Sequence, residues 1–376
     1  ADKDYYLKGE PKQFKLYPSR DGPAITATFM IIHTDDADIV ADFTDDYMFV
    51  LEQVRQRFGI KEGSPEFMLG LSRTIKVGIQ DDDCDAVGIK IGMKGYLEQA
   101  YREYREYMPK KAPAMPYKAG MWLSRADVQP DDIQPGKFPK FLNLCGTKLW
   151  AMRMIFPECA IILHYLCRMM SAPTQEAWDA AIYCLAYMHG QRDRGLMLPR
   201  CDGTPVLRAY VDASNKRDMA DTGKAVGGHM VFLGNAPIEW TCSKNPHVGQ
   251  SAQHNEYQAL SACAKAVTFY RLLLTEMGLQ SWVGPNPTVV SVDNTAAEIL
   301  ATEDLVNPAN RFYEEDTHYV KEAVEKGYVD PRHEPTATNV ADLMTKCVTR
   351  AVFDSLIGHV TGHARSLPPE PEARHT

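Results

Sequence analysis

Four acidic residues in the second half of the chain have the types and positions expected of metal ligands. They are Asp212, Glu256, Asp293 and Asp342. Each falls at the end of a predicted strand or at the start of a predicted helix. Asp212 and Glu256 each lie on the apolar face of their own element, where an unpaired carboxylate is costly. Divalent cations shared by carboxylate oxygens explain such a set economically, so the pattern predicts a metal site.

The spacing of apolar residues predicts the elements that position the first two acids. Alternation over 206–213 predicts a strand that carries Asp212 on its apolar face. Helical spacing over 255–277 places Glu256 one turn before Leu260, on the apolar stripe.

The other two acids stand beside predicted helix starts. Asp293 follows the apolar strand 288–292, and Asp342 lies in the first turn of a predicted helix over 339–356. Taken singly, either could cap its helix, and Glu256 could be a buried acid without a metal. If the four converge, we expect no cationic side chain among them, because the metals would supply the positive charge.

The order of predicted elements in the second half indicates the fold class. Three strands are followed by a helix, a strand, two helices, a strand and a last helix, which is typical of an α/β fold with a mixed five-stranded sheet and flanking helices. The predicted strands cover 206–213, 226–233, 237–243, 288–292 and 328–333, and the predicted helices cover 255–277, 294–302, 313–326 and 339–356.

Length and composition exclude several classes of protein. The 376 residues, 45% of them hydrophobic, are enough for two domains or one large one. No run of about 18 apolar residues predicts a membrane span. The nine cysteines form no paired framework, which favours a reducing intracellular setting, cytoplasmic or nuclear. The net charge of −8 disfavours a general polyanion binder, although metal-bound acids can still face a phosphate.

A second acidic pair lies in the first half of the chain. A predicted strand over 24–32 runs into His33, Asp35 and Asp36, after which a second strand begins. Two adjacent acids at such a junction are unusual, although aspartate is also common in ordinary hairpin turns.

Short motifs follow one another collinearly over residues 12–350. In the first half they are His33-Thr34-Asp35-Asp36, Phe67-Met68-Leu69-Gly70, Phe156-Pro157-Glu158, Cys167-Arg168-Met169-Met170-Ser171-Ala172-Pro173 and Trp178. In the second half they are Asp212-Ala213, Gly234 with Pro237-Ile238-Glu239-Trp240, Glu256-Tyr257-Gln258-Ala259-Leu260, Asp293-Asn294, Glu334-Pro335-Thr336 and Ala341-Asp342-Leu343-Met344-Thr345-Lys346. In this order, they resemble the C-terminal part of the Pol polyprotein of copia-type LTR retrotransposons, with the end of the reverse transcriptase and the ribonuclease H domain.

The resemblance implies a division of the chain into four parts. A partial reverse transcriptase palm and thumb would cover 1–108, and a linker with a helical connection region would cover 109–198. A ribonuclease H-like domain would cover 199–358, and a disordered tail would cover 359–376. Composition agrees, because the start of the second part is rich in Pro, Lys and Asp and the tail is rich in Pro, Glu and Arg.

The resemblance also implies an activity, endonucleolytic hydrolysis of the RNA strand of RNA–DNA hybrids. The four acids would be catalytic and would hold two Mg²⁺ ions, or Mn²⁺, about 4 Å apart, one to activate water and one to stabilise the leaving 3′-oxygen. His333 could assist proton transfer or product release, or could simply pack or face solvent. The implied partners are the hybrid and the upstream part of Pol, with no membrane.

The chain departs from the family pattern in ways that bear on the polymerase. His33 stands where the family has the palm tyrosine, and Cys347 stands where the family has a proline after Thr345-Lys346. The family's other palm aspartate would lie well upstream of the acidic pair, so Asp35 and Asp36 are expected to be a polymerase remnant. We predict no polymerase activity from this chain alone, and primer extension on poly(rA) above a no-enzyme control would refute this.

Two alternatives to an active nuclease remain at this point. The chain could be a non-catalytic retrotransposon remnant that serves as a nucleic acid- or protein-binding scaffold. It could also be a ribonuclease H-fold integrase or recombinase, but a Glu between the first and second Asp does not fit the order of acids in those enzymes.

Overall fold

A computed structural model of the chain describes residues 28–33, 36–41, 44–58, 67–76, 88–125, 137–199, 204–214, 219, 221–249, 251–295 and 314–371. It confirms the predicted α/β class. A mixed five-stranded sheet with helices on its faces is preceded by small antiparallel sheets and a helical region.

The first half contains two small antiparallel sheets. One pairs β1 (Thr28–His33) with β2 (Asp36–Ala41), which is followed by helix α1 (Thr44–Phe58). The other has the order β3 (Phe67–Met68), β4 (Leu71–Lys76), β5 (Gly88–Gly92) and β6 (Leu196–Pro199). Strand β6 covers Leu196–Pro199, so the predicted domain boundary between 198 and 199 falls inside it. Because β6 pairs with β5, this strand belongs to the sheet of the first half.

The two acids of the first half can be placed only in part. Asp35 lies outside the described residues, whereas Asp36 opens β2 with its Cα opposite that of His33. The interpretation of this pair as a polymerase remnant therefore stays a prediction.

The helical connection region and the five-stranded sheet share one hydrophobic core. The helices of the region are α2 (Lys94–Glu103), α3 (Phe138–Ile155), α4 (Ala160–Arg168) and α5 (Gln175–Gly190). Phe141 and Trp178 from these helices belong to the same buried cluster as Tyr210, Phe232 and Met344. The two regions thus exclude water together rather than as separate domains.

The segment predicted as a linker packs closely where the structure describes it, over 88–125. Tyr117 and Leu123 are buried, and the amide of Gly120 donates a hydrogen bond of 2.8 Å to the carbonyl of Cys347. The segment predicted as a linker or extended arm is therefore not free where the structure describes it, because apolar anchors lie among its prolines and lysines.

The second half forms the expected mixed five-stranded sheet. Its strands are β7 (Leu207–Ser214), β8 (Val226–Leu233), β9 (Ala236–Lys244), β10 (Thr288–Val292) and β11 (Val329–His333). Their order is β11-β10-β7-β8-β9, with β7, β8 and β9 antiparallel and with β10 parallel to both β7 and β11. Parallel β7 and β10 end at the same edge of the sheet, which brings the residues after them together.

Helices cover this sheet on both sides. They are α6 (Ala252–Glu276), the short α7 (Gln280–Val283), α8 (Glu314–Glu325), α9 (Asp342–Thr345) and α10 (Arg350–Val360). Tyr257, Leu260 and Val267 of α6 are fully buried in a core with Val211 and Val290 of the sheet. Most of the predicted helix 294–302 lies outside the described residues.

The predicted helix over 339–356 is two helices. Lys346 ends α9 with an extended backbone (φ −133°, ψ 138°), and α10 begins only at Arg350. The amide of Gly120 donates a hydrogen bond to the carbonyl of Cys347, which stabilises the chain between the two helices. Apolar periodicity alone did not reveal this interruption.

The prediction of disorder from residue 359 is also wrong as far as the structure describes the tail, up to Pro371. Leu367 is buried, and Arg208 donates to the carbonyl of Pro368 at 2.7 Å. Arg332 donates to the carbonyl of Pro371 at 3.1 Å. The tail therefore lies along the sheet through carbonyls that two arginines bind.

Among the described residues, none of the helices combines the length and the apolar character that crossing a membrane requires.

Candidate active site

The ends of the parallel strands bring three of the four predicted acids together. Asp212 lies near the end of β7 and Asp293 follows β10 directly, with Val211 and Val292 paired just before them. Glu256 reaches them from the second turn of α6. Carboxylate oxygens of Asp212, Glu256 and Asp293 lie within 4.8 Å of one another.

Glu256 is the most strongly perturbed of these acids. Its residue is 5% exposed, and its Oε2 atom has no hydrogen-bond partner among the described residues. Burial and the nearby charges of Asp212 and Asp293 raise its pKa to about 9, although the ammonium of Lys346 opposes this shift. The carboxyl group is thus held protonated unless a further positive charge arrives.

The pKa of Asp293 is also raised, for similar reasons. Burial and the charge of Asp212 raise its pKa, while Lys346 and His333 act in the opposite direction. A carboxylate whose surroundings oppose its ionisation is typical of a functional site rather than of a structural ion pair.

Asp342 lies in the first position of α9 and joins the other acids through a lysine. Its Oδ1 atom lies 2.7 Å from the Nζ atom of Lys346. Burial and the charge of Asp212 raise the pKa of Asp342 to about 6, against the effect of Lys346. Asp342 is not the cap of this helix, because Ala341 is the N-cap residue.

The expectation that no cationic side chain lies among the acids is wrong, because Lys346 lies there. Its Nζ atom is 3.0 Å from Oδ1 of Asp212 and 4.0 Å from Oδ2 of Asp293. Burial lowers the pKa of Lys346, but Asp212 and Asp342 outweigh it and raise the pKa above its ordinary value. The four-residue spacing of Asp342 and Lys346 was the signal in the sequence that could have indicated this contact.

Two further residues, which sequence reasoning did not place in the site, position α9 against β7. Asn339 is fully buried; its Nδ2 donates to the carbonyl of Val211 at 3.0 Å, and its Oδ1 accepts from the amide of Ala341 at 3.0 Å. The hydroxyl of Thr345 donates a hydrogen bond to Oδ2 of Asp212. These bonds fix both the helix and the orientation of the Asp212 carboxylate.

Gly228 allows that close approach. Its Cα pairs with that of Asp212 in the neighbouring strand. A Cβ atom at Gly228 would lie 2.6 Å from Cβ of Met344 and 2.9 Å from Cγ2 of Thr345. Only a residue without a side chain therefore lets α9 lie against β8 at this point.

The acids open into a cavity of about 570 Å³ that two regions of the chain enclose. One wall consists of residues from the sheet and the helices beside it, including Ser214 and Asn294. The other wall comes from the connection region, through Gly120, Met121 and Tyr165. The segment predicted as a linker is thus a wall of the candidate site.

His333 stands beside this arrangement rather than within it. It ends β11, and its side chain is exposed. Its electrostatic effect reaches Asp293, as noted above. An auxiliary role for His333 therefore stays a prediction.

The residues present fit one hard divalent cation well. Three carboxylates converge, and one of them, Glu256, keeps an unpaired buried oxygen. Mg²⁺ and Mn²⁺ prefer such oxygen ligands. The pair of Asp212 and Asp342, which the two-ion prediction also requires, is instead bridged by the ammonium of Lys346.

Curated proteins with similar sequences point to one kind of polyprotein. The chain is 24% identical over 330 residues to the retrovirus-related Pol polyprotein from transposon RE2 of Arabidopsis thaliana, and this match covers 87% of the chain. It is 25% identical over 214 residues, 57% of the chain, to the corresponding polyprotein from transposon TNT 1-94 of Nicotiana tabacum. The chain spans only 21% and 16% of the lengths of these two relatives.

Solved structures give weaker matches, and no protein-family model matches the chain. The foamy viral protease-reverse transcriptase in complex with an RNA/DNA hybrid is 13% identical, with a TM-score of 0.44, over 82% of this chain and 36% of that one. Ribonuclease H1 from Halobacterium salinarum is 19% identical, with a TM-score of 0.27, over 40% of this chain and 98% of that one. The sequence matches confirm that this chain resembles the Pol polyproteins of copia-type retrotransposons.

Proposed function

We propose that this chain is a ribonuclease H-type nuclease that hydrolyses the RNA strand of RNA–DNA hybrids, as part of a retrotransposon Pol polyprotein. The observation that carries the proposal is the convergence of Asp212, Glu256 and Asp293 within 4.8 Å at the carboxyl ends of parallel strands, inside a cavity. The similarity to Pol polyproteins supports this assignment over other metal-dependent hydrolases.

Each residue of the site has a distinct task in this proposal. Asp212, Glu256 and Asp293 bind a divalent cation, and the hydroxyl of Thr345 keeps the Asp212 carboxylate oriented for it. Once bound, Mg²⁺ would polarise the scissile phosphate and the attacking water. Glu256, whose pKa is raised by burial and by the two neighbouring acids, would hold the cation in its ionised form and would lose its proton to solvent.

The reaction is an in-line displacement at phosphorus. A bond from the water oxygen to phosphorus forms while the bond from phosphorus to the 3′-oxygen breaks. The attacking water loses a proton and the leaving 3′-oxygen gains one, which leaves a 5′-phosphate and a 3′-hydroxyl. Selection of RNA over DNA would rest on the 2′-hydroxyl and on the shape of the minor groove. In this proposal the hybrid would bind at the cavity, one wall of which comes from the connection region through Gly120 and Met121.

Cleavage of a labelled RNA–DNA hybrid in Mg²⁺ tests the proposal. Asp293→Asn keeps the shape of the side chain but removes a negative oxygen ligand, so we expect the rate to fall by at least about 100-fold. Asp330→Asn, at an aspartate on β11 that pairs with Arg332 away from the cluster, is the matched control and should retain the wild-type rate.

A second candidate function is a non-catalytic binding scaffold derived from a retrotransposon. It predicts that the wild type and the Asp293→Asn variant bind the hybrid alike and that neither cleaves it. Equal cleavage rates for the two proteins would also contradict the proposed active site.

A further inference from the structure

The ammonium of Lys346 lies at the centre of the candidate site. It is 2.7 Å from Asp342, 3.0 Å from Asp212 and 4.0 Å from Asp293. A lysine at hydrogen-bond distance from two carboxylates occupies space that an ion bridging them would need. The distances to Asp212 and Asp342 are those of charge-assisted hydrogen bonds.

The four acids therefore divide into two groups with different sources of positive charge. Asp212 and Asp342 share the ammonium of Lys346. Glu256 and Asp293 have no such hydrogen bond to it, and Oε2 of Glu256 is unpaired within the described residues. Only the cluster of Asp212, Glu256 and Asp293 is arranged to take a free cation.

We propose that Lys346 takes the place of a second divalent ion, so that the chain binds one cation, at Asp212, Glu256 and Asp293. This inference rests on the proposed function, because it assumes that the acids form a metal-dependent site. It differs from the two-ion site expected from the sequence, in which all four acids share two ions.

The backbone holds Lys346 in this position. The chain leaves the helix at Lys346, so that its side chain turns back over Asp342, one helical turn earlier. The next residue, Cys347, is buried, and its carbonyl accepts from the amide of Gly120. A second divalent ion could enter only if this anchored segment or the lysine side chain moved away.

Lys346 also faces the place where a phosphate would bind. It lines the cavity together with the three-acid cluster, and its side chain is 36% exposed. An ammonium group has three donors, of which two are directed to Asp212 and Asp342. The third can donate to a phosphate oxygen, which gives Lys346 the charge-neutralising task of the second ion.

Titration of the full-length chain with Mn²⁺, with free Mn²⁺ measured by its electron paramagnetic resonance signal, tests this inference without an activity assay. We expect one bound ion per chain in the wild type and two in Lys346→Met, because removal of the ammonium frees Asp212 and Asp342. Lys346→Arg keeps the charge and should bind one ion. Circular dichroism spectra confirm that each variant is folded.

Lys326→Met is the matched control. Lys326 pairs with Glu322 at the same four-residue spacing, but on an exposed surface of α8, so this change should leave one bound ion. Two ions in the wild type, or one ion in both the wild type and Lys346→Met, would overturn the inference. Absence of Mn²⁺ binding to the wild type would overturn the proposed metal site itself. One bound ion without hybrid cleavage would contradict only the proposed function.

Discussion

Two buried glutamates in this chain differ in how their charge is balanced. Glu158 lies in a short 3₁₀ turn of the connection region, Pro157–Cys159, and is fully buried. It forms an ion pair with Arg194 and accepts a hydrogen bond of 2.8 Å from the hydroxyl of Tyr187. Glu256 is 5% exposed but faces two carboxylates, and no arginine of the described part of the chain pairs with it.

The difference separates a structural acid from a functional one. The guanidinium of Arg194 contacts both Oε1 of Glu158 and the hydroxyl of Tyr187, so the protein itself supplies the positive charge that burial of Glu158 requires. The contrast lies in this charge, because Oε2 of Glu158, like that of Glu256, has no hydrogen-bond partner among the described residues. Around Glu256 the protein supplies more negative charge and an open cavity instead. That arrangement costs stability in the free protein and is useful only when a cation binds.

The largest effect on stability should come from the structural acid. Glu158→Gln leaves the buried Arg194 without a counter-charge, so we expect the free energy of unfolding to fall by about 3–5 kcal/mol. Urea unfolding measures it. Glu106→Gln, at an exposed glutamate that pairs with Lys140, is the control and should unfold as the wild type does. A loss at Glu158 no larger than at Glu106 would break the comparison.

An intermediate effect on stability is expected at Asn339, which supports the fold and also positions the site. Asn339→Ala removes two buried hydrogen bonds, to Val211 and from Ala341, and should lower the free energy of unfolding by about 1–3 kcal/mol. Because Asn339 anchors α9 beside Asp212, hybrid cleavage should fall as well. Thr338→Ala, which removes one exposed hydrogen bond to Pro335 at the half-buried neighbouring residue, is the control. Reduced stability with unchanged cleavage would show that Asn339 does not position the site.

The smallest effect on stability, below pH 4.5, should come from the functional acid. Because the pKa of Glu256 is raised from 4.5 to about 9, its carboxyl is protonated there in both the folded and the unfolded state, and Glu256→Gln is nearly isosteric with that form. A raised pKa in the folded state contributes stability that is complete below pH 4.5 and is lost as the pH rises to about 9.

We therefore expect the wild type to lose stability relative to Glu256→Gln as the pH approaches 9, and we expect Mg²⁺ to offset this loss only in the wild type. Thermal unfolding at several pH values, in chelator and in Mg²⁺, measures both effects. A constant difference between the two proteins across this range would mean that Glu256 is ionised in the metal-free protein.

Much of the fold could be predicted because its signals are local. The five strands of the main sheet and helices α6 and α8 agree with the alternation or helical spacing of their own residues. The site acids Asp212, Glu256 and Asp293 could be selected because each interrupts an apolar pattern. Their meeting follows from parallel strands that end at one edge.

Other features escaped prediction because they depend on contacts between distant residues. The helix predicted over 339–356 breaks after α9, where Cys347 bonds to Gly120, more than two hundred residues earlier. The segment over 109–125 looked like a linker because its apolar anchors, Tyr117 and Leu123, are isolated among polar residues. The tail was misjudged for a similar reason, since backbone carbonyls rather than side chains hold it to Arg208 and Arg332.

The sequence by itself determined the class of the fold, the order of the strands along the chain and the identity of the acids, because alternation and helical spacing are properties of neighbouring residues. Only the tertiary structure decided how the charges of those acids are balanced. Lys346 was visible in the sequence as one residue of a motif. Its place between Asp212 and Asp342 depends on the break after α9, on Asn339 and Gly228, and on the wall formed by the connection region.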